Sequence, residues 1–252
     1  MIETGFKEVA IAVSLMVLAI ILARWQRAGT EKEMITGTIR SFVQLVAVGY
    51  ALEFIFGLEN IFAILGTLII MMGVGAYTAG KRAKHIKNSF LLSFIAIFAG
   101  SLVTLGIMLA LGIIKTKAQY MIPLGGMIIG NSMNCASIVM ERLYSDISGN
   151  TLAIETSLSL GKSWREASAY YFRKAIKAGM IQMLNFFKTV GLVALPGAMT
   201  GMILAGASPL KAVLIQIIVG YMLTAAVTVT GIVSARLAIR QMFTKHHQLR
   251  ID

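Results

Sequence analysis

Charged residues and cysteines are scarce in this sequence, and each shortage excludes a class of protein. Only 13% of the 252 residues are charged, which is about half the fraction of a soluble domain. In contrast, 57% are hydrophobic, and the mean hydropathy is +0.79. Cys135 is the single cysteine, which excludes an internal disulfide framework. Because the apolar runs are far too long for outer-membrane strands, the composition predicts a polytopic helical membrane protein.

Seven apolar segments follow one another along the chain, and each is near the ~20 residues that cross the hydrocarbon core as a helix. We therefore predict an all-α fold of about seven transmembrane helices, which form a single transmembrane domain over residues 1–252. A cytoplasmic helix–turn–helix is predicted within it, at about residues 143–180. The seven segments are residues 6–23, 39–58, 61–80, 90–114, 121–142, 181–205 and 212–239.

Lysines and arginines cluster in alternate connections, and this pattern predicts the orientation of the chain. Basic loops stay in the cytoplasm, so the N-terminus is expected outside and the C-terminus in the cytoplasm. Lys188, at the border of the sixth segment, is assigned to the cytoplasmic side. The same distribution explains the net charge of +12 without nucleic acid. The basic residues left outside are Lys7, Lys115, Lys117 and Lys211.

The fifth apolar segment carries more polar residues than a helix that faces lipid would tolerate. Asn131, Met133, Asn134 and Cys135 lie within five residues, and i, i+3 and i+4 spacing places the amides and the thiol on one helical face. Thioether and thiolate sulfurs are soft metal ligands, and amide oxygens suit harder ions. These four residues are therefore candidates for a translocation path. The alternative, which is the more common use, is that the amides bridge helices and the sulfurs pack.

Two further polar residues, Gln44 and Glu53, lie in the second segment and complete the candidate path. Glu53 is the best carboxylate for an exit site if it faces inward, and otherwise it reaches water near the outer end of its helix. No residues are assigned as metal ligands or as a catalytic group, because no arrangement of a nucleophile and a base is present.

Glycines recur at helical spacing in three of the segments. Gly126 with Gly130, and Gly197 with Gly201, form G-x-x-x-G patterns, which let helix backbones approach closely. We expect these glycines to pack against other helices, mainly within one subunit.

The polar connection after the fifth segment has the features of an ordered helix–turn–helix. Gly161 is a natural C-terminal cap for a helix that contains Glu155, and Ser163 with Glu166 forms a capping box that starts the next helix. Trp164 is expected to be an exposed aromatic at the bend. The pattern resembles the E-A-A-x-x-x-G coupling loop of ABC-transporter permeases, although Thr and Ser follow the glutamate where that loop has two alanines. The alternative is an interfacial helix–turn–helix with generic caps.

Four blocks of the sequence together resemble the FetB-type family of iron-export ABC transporter permeases, which is similar to plant aluminium-tolerance permeases. The blocks are residues 40–50 (RSFVQLVAVGY), 121–142, 159–161 (SLG) and 188–201 (KTVGLVALPGAMTG). The resemblance covers nearly the whole chain and implies a permease subunit in the cell membrane that exports metal ions. It implies a separate FetA-like P-loop ATPase as partner and a homodimer of the permease.

The sequence lacks G-x-x-x-x-G-K-[ST], the loop that holds nucleotide phosphates, so we expect this chain not to be an enzyme. ATP and Mg would then be bound by the partner, with no cofactor on this chain. Two other functions stay open at this point. A secondary transporter would need an intramembrane carboxylate, for which Glu53 alone qualifies. A non-transporting membrane scaffold would need no path at all.

Overall fold

The computed structural model describes residues 6–57, 60–244, 246 and 248–250, with side chains from residue 10 onward. Short capping signals define several of its helix boundaries. Asn60 starts one helix by accepting a hydrogen bond from the N–H of Phe62 at 2.8 Å, and Pro209 opens another after Ser208. These described residues contain nine helices and no strand. The helices are α1 (Phe6–Trp25), α2 (Glu31–Gly57), α3 (Ile61–Arg82), α4 (Ser89–Ala110), α5 (Ala118–Ser148), α6 (Thr151–Ser159), α7 (Trp164–Thr189), α8 (Gly197–Leu204) and α9 (Pro209–Gln241).

Five of these helices are long and apolar enough to cross a membrane, namely α2, α3, α4, α5 and α9. α1 is also apolar, but the part whose side chains are described, Ala10–Trp25, is shorter. α7 has 26 residues, and its first half is too polar for it to join the five. The predicted all-α membrane fold is therefore confirmed, whereas seven crossings and the orientation of the termini stay predictions.

The predicted apolar segment 181–205 is not one helix, so that prediction is wrong. α7 ends at Thr189, and Gly191 then adopts a left-handed conformation (φ +80°) while its N–H donates to the carbonyl of Ala194 at 3.0 Å. Pro196 follows as the N-cap of α8. A left-handed glycine and a proline end a helix, because neither continues its conformation and hydrogen bonds.

The chain divides into two compact units, Met1–Glu59 and Asn60–Asp252. In the first unit, α1 and α2 pack against each other and are joined by a tight connection. Two left-handed residues in that connection, Arg27 (φ 53°) and Gly29 (φ +71°), reverse the direction of the chain. The prediction of a single domain over the whole chain stays a prediction.

In the second unit, α5 is the central helix and contacts α3, α4, α7 and α9. Its fully buried side chains include Ile128, Met140, Leu143 and Ile147. α4 packs closely on α9 as well. A Cβ at Gly100 would lie 2.8 Å from the carbonyl oxygen of Ala226, so only glycine allows this approach.

Side-chain contacts show that α3, α5 and α9 run in one direction and α7 runs in the other. Gly125 faces Leu68 near the start of α3, while His85, just after α3, stacks on Tyr144 with ring centroids 5.0 Å apart. α7 is antiparallel to α9, because Trp164 stacks on Phe243 while, further along both helices, the Met180 sulfur lies 4.0 Å from the Thr228 hydroxyl. The ends of α3, α5 and α9 and the start of α7 therefore lie at one end of the unit, which we call the basic end.

Most lysines and arginines of the second unit lie at this basic end, as the loop pattern predicts. Lys188 is an exception, because it lies in the last turn of α7 at the opposite end. Its predicted grouping with the other basic residues is therefore wrong. Lys7 and Lys245 lie outside the described side chains. The basic end carries Lys81, Arg82, Lys84, Lys87, Arg142, Lys162, Arg165, Arg173, Lys174, Lys177, Arg236, Arg240 and Arg250.

The close helix contacts occur mostly at glycines other than those of the G-x-x-x-G patterns. Gly126 meets Met71, but no atom lies within 4 Å of a Cβ built on Gly130, Gly197 or Gly201. The predicted packing of those three glycines is therefore not present in the described residues. In their place, Gly179 of α7 lies directly against α5.

Candidate functional site

The candidate site is the helix–turn–helix at the basic end, formed by α6, residues 160–163 and the first turn of α7, which we call the elbow. α6 ends as predicted, with Gly161 in the left-handed conformation (φ +89°). The N–H of Gly161 donates to the carbonyl of Leu158 at 2.9 Å, and the N–H of Lys162 donates to that of Ser157 at 3.2 Å. This pair of bonds is the Schellman motif, which fixes the direction in which the chain leaves the helix.

The predicted capping box at the start of α7 is confirmed. The N–H of Ser163 and its hydroxyl donate to the Glu166 carboxylate at 2.9 and 2.7 Å, and the Glu166 N–H donates to the Ser163 hydroxyl oxygen at 3.4 Å. These hydrogen bonds from Ser163 hold the pKa of Glu166 below its ordinary value, because they stabilise the ionised carboxylate. Glu166 therefore has a structural role at the bend.

Trp164 is half-buried, which differs from the exposed aromatic that the sequence predicts. Its ring stacks on Phe243 just beyond α9, with centroids 5.9 Å apart. On the same indole, the guanidinium carbon of Arg165 lies 5.3 Å from the ring centroid. An aromatic pair of this kind contributes ~0.5–1.5 kcal/mol beyond its burial. Trp164 thus attaches the elbow to the end of α9.

A second attachment joins α7 to α5 through Asp146, a residue that the sequence analysis does not single out. One carboxylate oxygen accepts a hydrogen bond from Arg142 at 3.0 Å, and the other lies 3.3 Å from the amino group of Lys174. The Asp146 side chain is only 11% exposed, so this pair is shielded from solvent more than a surface ion pair is. Buried Ile154 completes the contact of α6 with its neighbours.

The outer surface of α6 presents apolar side chains to solvent. Leu152 and Leu160 are each 78% exposed, and Glu155, Thr156 and Ser159 are exposed between them. Residues 152, 156, 159 and 160 share one helical face by their i, i+4, i+7 and i+8 spacing. A short helix with an exposed leucine at each end, whose other side packs on α5 and α7, is suited to insertion into a groove on a partner.

The predicted path residues of α5 differ in how far they are exposed to solvent. Cys135 is buried, and its thiol donates to the carbonyl of Val227 on α9 at 3.5 Å. Asn134 is exposed and Met133 half-buried, while the amide of half-buried Asn131 donates to the carbonyl of Met127 at 2.8 Å. The thiol therefore packs between helices, and the two amides are the more accessible groups. Their role in a path stays a prediction.

The remaining predicted path residues, Gln44 and Glu53, are both exposed on α2 in the first unit. Among the residues that the structure describes, no three His, Cys, Asp or Glu side chains are grouped closely enough to hold a metal ion.

Sequence reasoning did not identify several buried polar side chains of α4 and α9. The hydroxyls of Ser101 and Thr104 and the side-chain oxygen of Gln216 are buried without a hydrogen-bond partner in the described part of the chain. On the α5–α9 contact, by comparison, the Thr230 hydroxyl donates to the Ser132 hydroxyl at 3.1 Å. An unpaired polar atom costs ~1–3 kcal/mol, so water or a polar solute would be stabilised at these atoms.

Local signals could have identified some of these residues but not others. Asp146 follows Arg142 by four positions, a spacing that favours a helical ion pair. Its second partner, Lys174, is 28 residues away in the sequence. The stack of Trp164 on Phe243 joins residues that are even further apart, at the start of α7 and just beyond the end of α9. Contacts at such separations depend on how the helices pack, which a single sequence does not reveal.

The helices and the charge distribution define this chain as a multi-pass membrane protein whose basic end carries a structured elbow. The comparisons with known proteins give the family: the model of the uncharacterised protein family UPF0014 matches residues 6–243, and the chain belongs to that family.

Relatives of similar length come from plants and bacteria. The chain is 39% identical over 246 residues to Protein ALUMINUM SENSITIVE 3 of Arabidopsis thaliana, covering 98% of this chain and 90% of the relative. It is 35% identical over 243 residues to the "Probable iron export permease protein FetB" of Escherichia coli (strain K12), covering 96% and 94%. UPF0014 membrane protein YjkA of Bacillus subtilis is 38% identical over 245 residues, covering 97% and 98%. The predicted resemblance is therefore confirmed. No solved structure matches the chain.

Proposed function

We propose that this chain is the membrane-spanning permease subunit of an ABC transporter in the cell membrane, and that it exports metal ions. The observation that carries the proposal is the elbow, which combines a solvent-exposed docking face on α6 with attachments to α5 and α9. The name of the E. coli relative, a probable iron export permease, supports iron as the substrate. ATP hydrolysis belongs to a separate P-loop ATPase, since this sequence has no phosphate-binding loop.

The proposed orientation places the basic end in the cytoplasm, because basic residues accumulate on that side of membrane proteins. α7, α5 and α9 then extend from the elbow into the membrane, and α7 supplies a sixth crossing of low hydropathy between two apolar helices. With α1 included, the chain crosses seven times, with the N-terminus outside and the C-terminus in the cytoplasm. Two permease subunits and two ATPases form the transporter.

In the proposed mechanism, closure of the ATPases on ATP moves the elbow, and its two attachments pass the motion to the membrane helices. The Asp146–Lys174 contact connects α7 to α5, and the Trp164–Phe243 stack connects it to α9. Because α5 carries Asn131 and Asn134, a shift of α5 relative to α9 would change the access of those amides. The metal ion would pass along α5 by transient contacts with amide and hydroxyl oxygens.

The test is to replace the exposed leucines of α6 and measure association with the ATPase. Leu152→Asp/Leu160→Asp removes two leucines that would be buried in the partner's groove. Burial of each leucine would stabilise the complex by ~2 kcal/mol. We expect the affinity for the ATPase to fall at least roughly a hundredfold, together with ATP-driven metal export from proteoliposomes. Leu192→Asp/Val193→Asp is the matched control, since these residues are 88% and 82% exposed and lie just after α7 at the opposite end.

The proposal fails if the double variant binds the ATPase and exports metal as well as the control does. The second candidate, a transporter driven by an ion gradient, is favoured by one observation, the exposed carboxylate of Glu53. Metal export that continues without ATPase, and stops when the ion gradient is dissipated, would establish that candidate instead.

A further inference from the structure

A cleft between α7 and α9 at the basic end has the composition of an anion-binding site. Its volume is about 700 Å³, within the range of sites for small ligands. Arg165 and Arg173 line it from α7, and Arg236 and Arg240 line it from α9. No Asp or Glu is among its lining residues. Asp146 makes both of the ion pairs found among the described residues, so no carboxylate in that part of the chain pairs with these four guanidinium groups.

The antiparallel packing of the two helices places the arginines at two depths. Trp164 lies beside Phe243, and Met180 lies beside Thr228. In this register, Arg165 lies within about one helical turn of Arg240 along the helix axes. Arg173 lies equally close to the height of Arg236. At 1.5 Å per residue, the second pair lies roughly 9 Å further along the helices than the first.

Apolar and aromatic side chains line the same cleft at the level of the deeper arginine pair. Phe172, Val233 and Leu237 line it beside the deeper arginine pair. Val233 and Leu237 belong to α9, one of the five helices apolar enough to cross the membrane. Trp164, at the exposed end, is a residue type that is enriched at membrane–water interfaces. Arginines at two depths, with apolar side chains beside the deeper pair, match the phosphate-containing headgroup of a lipid and the start of its acyl chain.

We propose that this cleft binds an anionic phospholipid, with the phosphate between Arg173 and Arg236 and the headgroup directed toward Arg165 and Arg240. Guanidinium groups suit phosphate because their planar N–H donors match its oxygens. Basic pockets between membrane helices are a known way of holding such headgroups on the cytoplasmic side. This inference goes beyond the proposed transport function and would hold for any function of the chain.

A zwitterionic lipid is excluded as the preferred occupant, because its choline would lie against the outer arginine pair. An acidic protein segment is a weaker match, because it would leave the apolar lining of the cleft unfilled. A free phosphate compound shares the phosphate chemistry but likewise gains nothing from Phe172 and Val233. The experiment therefore includes a soluble phosphate as a separate arm.

The test uses the full chain purified in non-ionic detergent and titrated with phosphatidylglycerol, phosphatidylcholine or inorganic pyrophosphate. Binding is followed by native mass spectrometry, and the apparent melting temperature is recorded at one fixed scan rate. We expect phosphatidylglycerol to bind at least tenfold more tightly than phosphatidylcholine. Arg173→Gln/Arg236→Gln should remove this preference by weakening the binding of phosphatidylglycerol at least tenfold. Pyrophosphate should compete weakly.

The matched control is Arg82→Gln/Lys84→Gln, which removes the same charge from exposed positions of the same end outside the cleft. It should change phosphatidylglycerol binding less than twofold. All four cleft arginines are exposed, so Arg165→Gln/Arg240→Gln serves as a second cleft variant if the first does not fold. Equal binding of the two lipids, equal loss in control and cleft variants, or tighter binding of pyrophosphate than of lipid would each overturn the proposal.

Discussion

Replacing Gly179 by alanine should separate α7 from α5, and the structure gives the expected size of the effect. A Cβ at this position would collide with Val139 and lie 3.0 Å from the sulfur and 3.2 Å from the carbonyl oxygen of Cys135. The carbonyl cannot rotate away, and Val139 is fully buried and stiff at χ1. Overpacking of this kind costs ~1–3 kcal/mol. Against it, alanine gains ~1 kcal/mol of helix propensity over glycine.

The net expectation for Gly179→Ala is a loss of ~0–2 kcal/mol, and the backbone carbonyl contact places it toward the upper end. Gly130→Ala in α5 is the matched control, because no atom lies within 4 Å of its built Cβ and the propensity gain is the same. Unfolding of both variants by SDS titration in mixed micelles measures the difference directly. The control should be as stable as the parent chain or up to ~1 kcal/mol more stable. If Gly179→Ala is stabilised as much as Gly130→Ala, the close α5–α7 contact is refuted.

Two further predictions concern the candidate path and the capping box. Alanine at both Asn131 and Asn134 should reduce metal export in proteoliposomes several-fold at normal protein abundance. Cys135→Ala should leave the export rate per folded molecule unchanged, because the thiol packs between helices; equal export by both would remove the amides from the path. In a Trp25→Phe background, acidification should change the fluorescence of the remaining tryptophan at the elbow. The pKa of Glu166 is lowered in the folded state, so its stabilisation is complete above the unfolded pKa and is lost as pH falls through the folded pKa. Glu166→Gln should abolish that acid transition, and a transition that survives would assign it to another group.

The sequence predicts local features of this protein better than contacts between helices. Gly161 and the Ser163–Glu166 box are confirmed because a cap depends on residues within one turn of each other. The high hydropathy of residues 181–205 predicts one span, but Gly191 and Pro196 interrupt it. Hydropathy averages over a window and does not register such interruptions.

Glycine spacing also proved a poor guide to close packing. A G-x-x-x-G pattern shows that a close approach is allowed, whereas the rotation of each helix decides which face receives a neighbour. Gly130 faces open space, and Gly179, with no glycine four residues away, lies against α5. The two attachments of the elbow are likewise not predictable from local sequence, because Lys174 and Phe243 make these contacts only through tertiary packing.

The polar first half of α7 has a consequence for how the protein is made. During synthesis a helix enters the bilayer alone only if its own apolarity outweighs its charges, and α7 lacks the apolar window of its neighbours. α7 is completed before α9, the second helix on which it packs. We therefore expect nascent α7 to rest at the membrane surface, or beside α5, until α9 emerges from the ribosome. Attachment of the elbow to the end of α9 would then be the last step of biogenesis, so a chain interrupted before α9 would carry the α6 docking face without the Trp164–Phe243 stack.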